Sequence, residues 1–173
     1  MINEDFLDQE QDERGKRYLT FFMDNQLYAI SAMDVVQIIG MQTVTKLPDS
    51  PSYIKGVMNL RGEIMPVMDV RLRLGIAEAD YTDRTCIIIM KIQGNTVGFI
   101  VDEVDEVLDI RREQISVPPM VNHVDASGDY LIGIGRLEDR QDHKNRMVLI
   151  IDASALLGER EFELLTKTSE VNV

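Results

Sequence analysis

The stretch "YIKGVMNLRGEIMPVMD", residues 53–69, sets two apolar runs around a short polar turn, and its frame recurs later in the chain. In "YLIGIGRLEDRQDHKNRMVLIID", residues 130–152, a tyrosine is again followed by an aliphatic residue, then a glycine three residues after the tyrosine, an aliphatic residue and a leucine. Past each turn an aliphatic run ends in aspartate, at Asp69 and Asp152, with a leucine five residues further on at Leu74 and Leu157. The offset is 77 residues before the turn and 83 after it, so the second turn is six residues longer. Internal self-similarity of this kind constrains a fold before any single element does.

The echo extends upstream. Tyr18–Met23 and Leu27–Ile30 flank Asp24-Asn25-Gln26, and Thr85–Ile92 and Thr96–Val101 flank Gln93-Gly94-Asn95, each a hairpin signature. Val35-x-x-Ile38 follows the first hairpin as Val104-x-x-Val107 follows the second, and proline-bearing loops (Pro48, Pro51; Pro118, Pro119) precede both tyrosines. Each half therefore reads strand, turn, strand, bend, strand, proline loop, strand, turn, strand. Two such copies suggest two small β-barrels packed together, although any two hairpins share some likeness. Cys86–Met90 and Met147–Ile151 are apolar at successive positions, as expected of strands with core on both faces. Ser31 is a cap for a short helical turn. Ala153–Gly158 reads as a short helix stopped by glycine. Pro66 lacks a ladder donor, which places it at an edge or bulge.

The chain has 173 residues, enough for one ordinary domain or two small subdomains sharing a core. Residues 1–17 open with an acidic run that reads as a disordered arm, the folded part starts near Tyr18, and residues 159–173 form a tail. A single cysteine excludes an intramolecular disulfide framework and fits a cytoplasmic setting. Cys86, in an aliphatic strand, reads as a small hydrophobe and not as a nucleophile. No apolar run approaches the roughly 18–20 residues a spanning helix needs, and the acidic N-terminus is unlike a signal peptide. A net charge of −12 argues against nucleic acid and against anionic lipid as partners.

The chemical inventory is sparse. The two histidines, His123 and His143, lie in polar stretches without zinc spacing, and Asp102-Glu103-x-Asp105-Glu106 lacks the glycine-centred ligand loop of calcium sites, reading instead as a solvated face or an electrostatic contact surface. No phosphate-binding glycine loop and no nucleophile elbow occurs. Ten methionines and many strand edges point toward an interaction module, with a small-ligand or hydrolytic β-barrel as the reading from another class.

With "LYAISAMDVVQII" before it and "TVGFIVDEVDEVLDI" and "YLIGIGRLE" after it, the segment "YIKGVMNLRGEIMPVMDVRLRL" resembles the CheW family of bacterial chemotaxis coupling proteins. The likeness runs from about Tyr18 to Leu157, within a CheW-like domain at 18–158, and Gly56-x-x-Asn59-Leu60-Arg61-Gly62 is its most specific piece. The resemblance implies two five-stranded SH3-like barrels around a shared hydrophobic core, with no catalysis and no cofactor. It implies a cytoplasmic adaptor, associated with membrane receptor arrays, that joins the tips of methyl-accepting chemoreceptors to the regulatory domain of the histidine kinase CheA, with further copies in rings.

Carried over by position, Arg61, Asn59 and Gly62 in the turn, with Val35 and Gln37 on the bend after the second strand, face the receptor. Ile39, Met41 and Val44 on the next strand, with Met120 and Val121 after the second proline loop, face the kinase. Gln37 stands where the best-known members carry an acidic residue, which removes any ion pair expected there. A detached kinase regulatory domain, or the adaptor that carries a receiver domain, is the nearest alternative. A hairpin tip is ordinarily only solvated, so Arg61 is either such a tip or a guanidinium presented to a partner.

Overall fold

The computed structural model describes residues 16–117, 130–138 and 144–158. Three tight hairpins set its geometry. β1 (Lys16–Met23) turns into β2 (Gln26–Ser31), β4 (Ile54–Leu60) into β5 (Glu63–Asp69), and β6 (Cys86–Ile92) into β7 (Asn95–Val101). Each turn has two residues in the left-handed region: Asp24 and Asn25 (φ 51° and 65°), Arg61 and Gly62 (54° and 88°), Gln93 and Gly94 (49° and 81°). Such turns carry the twist that the flanking strands need. The remaining strands are β3 (Val35–Gly40), β8 (Glu103–Ile110), β9 (Ile115–Ser116), β10 (Leu131–Glu138) and β11 (Asn145–Ile151). Two one-turn helices, α1 (Val70–Arg73) and α2 (Ala153–Leu156), follow the paired aspartates.

The strands form a five-stranded sheet, β3-β6-β7-β5-β4, and a six-stranded sheet, β8-β1-β2-β11-β10-β9. The two sequence repeats do not each make one sheet; they exchange their first hairpins. β6–β7 of the second repeat complete the sheet of β3, β4 and β5, while β1–β2 of the first complete the other. Both exchanges are sealed by a parallel pairing, Val67–Asp69 with Gly98–Ile100 and Val148–Ile150 with Leu27–Ala29. The two-residue β9 pairs with Ile134 and Gly135 in one barrel, and in the other Thr45 bridges Val57 at the corresponding place.

Three apolar clusters result. One fills the five-stranded barrel (Met58, Met65, Val67, Ile87, Ile89, Ile100), and one fills the other (Tyr18, Leu27, Ala29, Ile110, Leu137, Val148, Ile150). The third and largest lies between them, drawing Leu19, Phe21, Met23, Ile88, Met90, Phe99, Ile151 and Leu156 from both sheets. The uninterrupted aliphatic run of β6 is thereby explained: Ile87 and Ile89 point into a barrel, Ile88 and Met90 into the shared core.

The internal echo is structural in detail. The Asp69 amide donates to the Tyr53 carbonyl (2.7 Å) and the Asp152 amide to the Tyr130 carbonyl (2.8 Å). Each aspartate then caps the helix after it, accepting from the Leu72 or the Ser154 amide. Both β4 and β10 shift register just before their glycines, Gly56 and Gly133.

Several local expectations are corrected. Pro66 is on an interior strand, because Val57, opposite it, turns its own amide and carbonyl toward Thr45 and asks nothing of residue 66. The parallel ladder to β7 begins only at Val67. The first strand starts at Lys16, two residues before the expected boundary, because Lys16 and Arg17 pair with Ile110 and Asp109. Helix α2 ends not at Gly158 but at an extended Leu157, whose side chain is drawn into the shared core. The acidic arm up to residue 15, the tail from 159, His123, His143 and most of the long 138–145 turn lie outside the described residues.

Candidate functional site

Arg61 occupies the first position of the β4–β5 turn in a left-handed conformation that a residue with a Cβ adopts at a cost. The turn is held from within: the Asn59 side-chain oxygen accepts from the Gly62 amide at 2.8 Å. The Arg61 side chain is exposed, and among the described residues it forms no ion pair or hydrogen bond. Two arginines past the other end of β5 are, by contrast, tied down. Arg71 donates to Asp102 (3.0 and 3.3 Å), to Asp24 (3.3 Å) and to the Ala77 carbonyl. Arg73 donates to the Leu156 carbonyl at 2.7 Å and lies over both repeat tyrosines, 5.5 Å from the Tyr53 ring and 5.6 Å from Tyr130.

The other expected residues are distributed around the five-stranded barrel. Val35 and Gln37 belong to β3 and not to a bend before it; both are half-buried, Val35 against the shared core. Ile39 is on the same strand, while Met41 and Val44 lie beyond its end at Gly40, where the chain curls inward to reach the Thr45–Val57 bridge. Ile39, Met41, Val44 and Leu60 are brought together against the barrel's apolar filling, and Leu60 is the residue before Arg61. Met41 and Val44 also line a groove of about 520 Å³ whose far wall is Lys55, Glu78 and Tyr81. Met120 and Val121 lie outside the described residues.

Three residues not among the expected site residues stand out: Met33, Val36 and Ile38 are large, apolar and exposed, at 91%, 59% and 42%. The signal was present. Period-two alternation along "VVQIIG" turns 35, 37 and 39 inward and 36 and 38 outward, a pattern that the Val35-x-x-Ile38 repeat motif by itself does not assign to faces.

The groove's far wall is clamped. The Tyr81 hydroxyl donates to the Asp69 carboxyl at 2.9 Å, and the Lys55 ammonium meets Glu78 at 2.7 Å. Burial, then the neighbouring Asp69 carboxyl, push the Tyr81 hydroxyl far above its ordinary range, and the Lys55 hydrogen bond holds Glu78 below its own. The acidic run after β7 is only partly a solvated face: Asp102 binds Arg71 and accepts from the Asp24 amide, Glu103 meets Arg84, and Asp105 accepts from the buried Thr20 hydroxyl. Burial raises the Cys86 thiol. Among the described residues no group of His, Cys, Asp and Glu could hold a metal ion, and no helix is long and apolar enough to cross a membrane.

Residues 17–161 match the CheW-like domain. This chain belongs to the CheW-like family. A CheW of Klebsiella aerogenes, described as a chemotaxis protein, is 33% identical over 156 residues, 90% of each chain. The corresponding Bacillus subtilis protein is 35% identical over 147 residues, 84% of this chain and 88% of its own. A crystal structure of the scaffolding protein TtCheW from Thermoanaerobacter tengcongensis superposes with a TM-score of 0.73 at 33% identity, covering 85% of this chain and 95% of that one. The CheW-like domain therefore accounts for both barrels and for the paired aspartate caps that join each to its short helix.

Proposed function

We propose that this CheW-like chain is a non-enzymatic, cytoplasmic adaptor that couples chemoreceptor tips in membrane arrays to the histidine kinase CheA. The observation that carries the reading is Arg61: a charged residue kept in a strained turn, aimed outward by the Asn59–Gly62 hydrogen bond, with no partner among the described residues. A fold gains nothing from that choice, since glycine or asparagine would fit the turn better. A guanidinium fork suits a carboxylate or backbone carbonyls at a helical hairpin tip. Val35, Gln37, Asn59 and Gly62 support this receptor-facing side.

The kinase-facing side is apolar. Ile39, Met41 and Val44 at the groove, with exposed Met33, Val36 and Ile38 beside them in sequence, supply non-directional contact area. Met120 and Val121 are assigned to a second contact within rings that include further copies of the chain. Rim charges contribute less than this apolar area, because exposed pairs are screened.

The test is a binding experiment with a purified CheA regulatory domain and a receptor cytoplasmic fragment. The adaptor binds both. Arg61→Glu loses the receptor fragment and keeps the kinase domain; the double variant Val36→Glu, Ile38→Glu does the reverse. Failure of the wild-type chain to bind either partner sinks the proposal.

A further inference from the structure

Ten methionines in one small chain invite the question of which are chemically reachable. Within the described residues Met23, Met58, Met65, Met68 and Met90 are at most 2% exposed, and Met41 is half-buried. Met33 is 91% exposed and Met147 is 56% exposed. Met33 sits in the one-turn 3-10 segment Ala32–Asp34, held by the Ser31 side chain and directly preceding β3, and no residue of that segment is buried. Along the chain it adjoins the outward Val36 and Ile38.

We infer that Met33 is an oxidation-sensitive modification site through which oxygen-donating oxidants such as hydrogen peroxide weaken the kinase contact. The inference rests on the adaptor reading above. The chemistry is a two-electron transfer: the thioether sulfur attacks one peroxide oxygen, the O–O bond breaks, and the departing hydroxide takes up the remaining proton as water. Sulfur is oxidised to the sulfoxide and peroxide is reduced. An apolar, flexible side chain becomes a polar one with a strong acceptor, on a face whose affinity depends on burying apolar area. An acceptor carried into that contact without a partner opposes binding. The buried methionines are protected by packing, so mild oxidation alters the surface and leaves the three cores reduced. Met147 provides a built-in comparison, being exposed on the other barrel.

The experiment treats the full chain with hydrogen peroxide, maps sulfoxide by peptide mass spectrometry and measures affinity for a CheA regulatory domain. Met33 and Met147 are expected to oxidise ahead of the five buried methionines, and affinity is expected to fall about ten-fold or more, the scale set by one unpartnered buried acceptor. Measured against its own untreated affinity, whatever that is, Met33→Leu shows no fall on the same treatment, Met147→Leu falls as wild type does, and a methionine sulfoxide reductase restores the wild type. Prior binding of the kinase domain slows oxidation of Met33 but not of Met147. Unchanged affinity with Met33 oxidised, resistance of Met33 to oxidation, equal loss in Met33→Leu, or loss accompanied by a lower unfolding temperature each overturns the inference. If the untreated chain fails to bind the kinase domain, the adaptor reading has failed instead.

Discussion

Replacing Gly56 with alanine tests whether the five-stranded barrel closes as described. A Cβ at this position would lie 1.9 Å from the Thr45 carbonyl oxygen, 2.6 Å from its carbon and 2.9 Å from the Lys46 Cα, all of them backbone. No rotamer change relieves such an overlap; the closing segment must withdraw. Withdrawal breaks the reciprocal Thr45–Val57 pair, two hydrogen bonds of 2.8 Å, each contributing about 0.5–1.5 kcal/mol. The φ of 143° adds about 1–3 kcal/mol for any residue with a Cβ. Together these give about 4 kcal/mol, a large part of the 5–15 kcal/mol typical of a domain. The chain has no tryptophan, so urea unfolding is followed by circular dichroism, where this loss lowers the midpoint by about 2 M. The repeat mate is the control. At Gly133 the added Cβ would meet the Ile115 Cγ2 at 2.6 Å, a branch methyl of the side chain and not backbone. Ile115 must shift with its two-residue strand, and the cost is about 1–3 kcal/mol, without loss of the closing hydrogen bonds or a positive φ. A Gly56→Ala midpoint within about 0.5 M of wild type, or equal to that of Gly133→Ala, refutes the closure argument.

Other expectations follow from the same geometry. Arg61→Asn restores the residue that the left-handed turn prefers and is expected to raise stability by about 0.5–1 kcal/mol while abolishing binding of a receptor fragment, read by paired unfolding and binding titrations. Tyr81→Phe removes the hydrogen bond to Asp69 and lowers stability by about 1 kcal/mol at neutral pH. Because the Tyr81 hydroxyl has its folded pKa raised above the unfolded value near 10, its contribution is complete below that pH and is lost as pH rises beyond it. A stability profile from pH 8 to 11 should therefore fall less steeply in Tyr81→Phe than in wild type. Arg73→Met keeps the aliphatic stem but loses the Leu156 carbonyl and both ring contacts, and is expected to cost about 2 kcal/mol in thermal unfolding.

Much of the architecture was readable because it depends on local periods and turn chemistry. The Tyr-Gly-Leu and Asp-Leu spacings of the two repeats correspond to real hydrogen bonds, from Asp69 to Tyr53 and from Asp152 to Tyr130. The exchange of hairpins was not readable, since β2 pairs as plausibly with either repeat until the shared core is assembled. Pro66 misled for a related reason: which side of a strand faces an open ladder is decided by the neighbour, here Val57 and its bond to Thr45. In the candidate site the Arg61 turn was visible, because an Asn-x-Arg-Gly hairpin has a fixed form. The outward Val36 and Ile38 required the strand's period, and the clamps formed by Tyr81, Arg71 and Arg73 required contacts between residues as far apart as 83 positions in the chain.

The exchange also dictates an order of assembly. Every strand of the five-stranded barrel lies between Val35 and Val101, an unbroken stretch of chain, whereas the six-stranded sheet needs Lys16–Ser31 from before that stretch and Glu103–Ile151 from after it. One barrel is in effect an insertion within the other. As the chain leaves the ribosome, the inserted barrel can close first and offer its side of the shared core to Leu19, Phe21 and Met23, but the other face of the β1–β2 hairpin, with Tyr18, Leu27 and Ala29, must wait uncovered until β11 emerges to pair with it. Sequence-distant pairing of this kind is slow. The waiting hairpin, and not the completed adaptor, is where this protein is most exposed to aggregation and to chaperones.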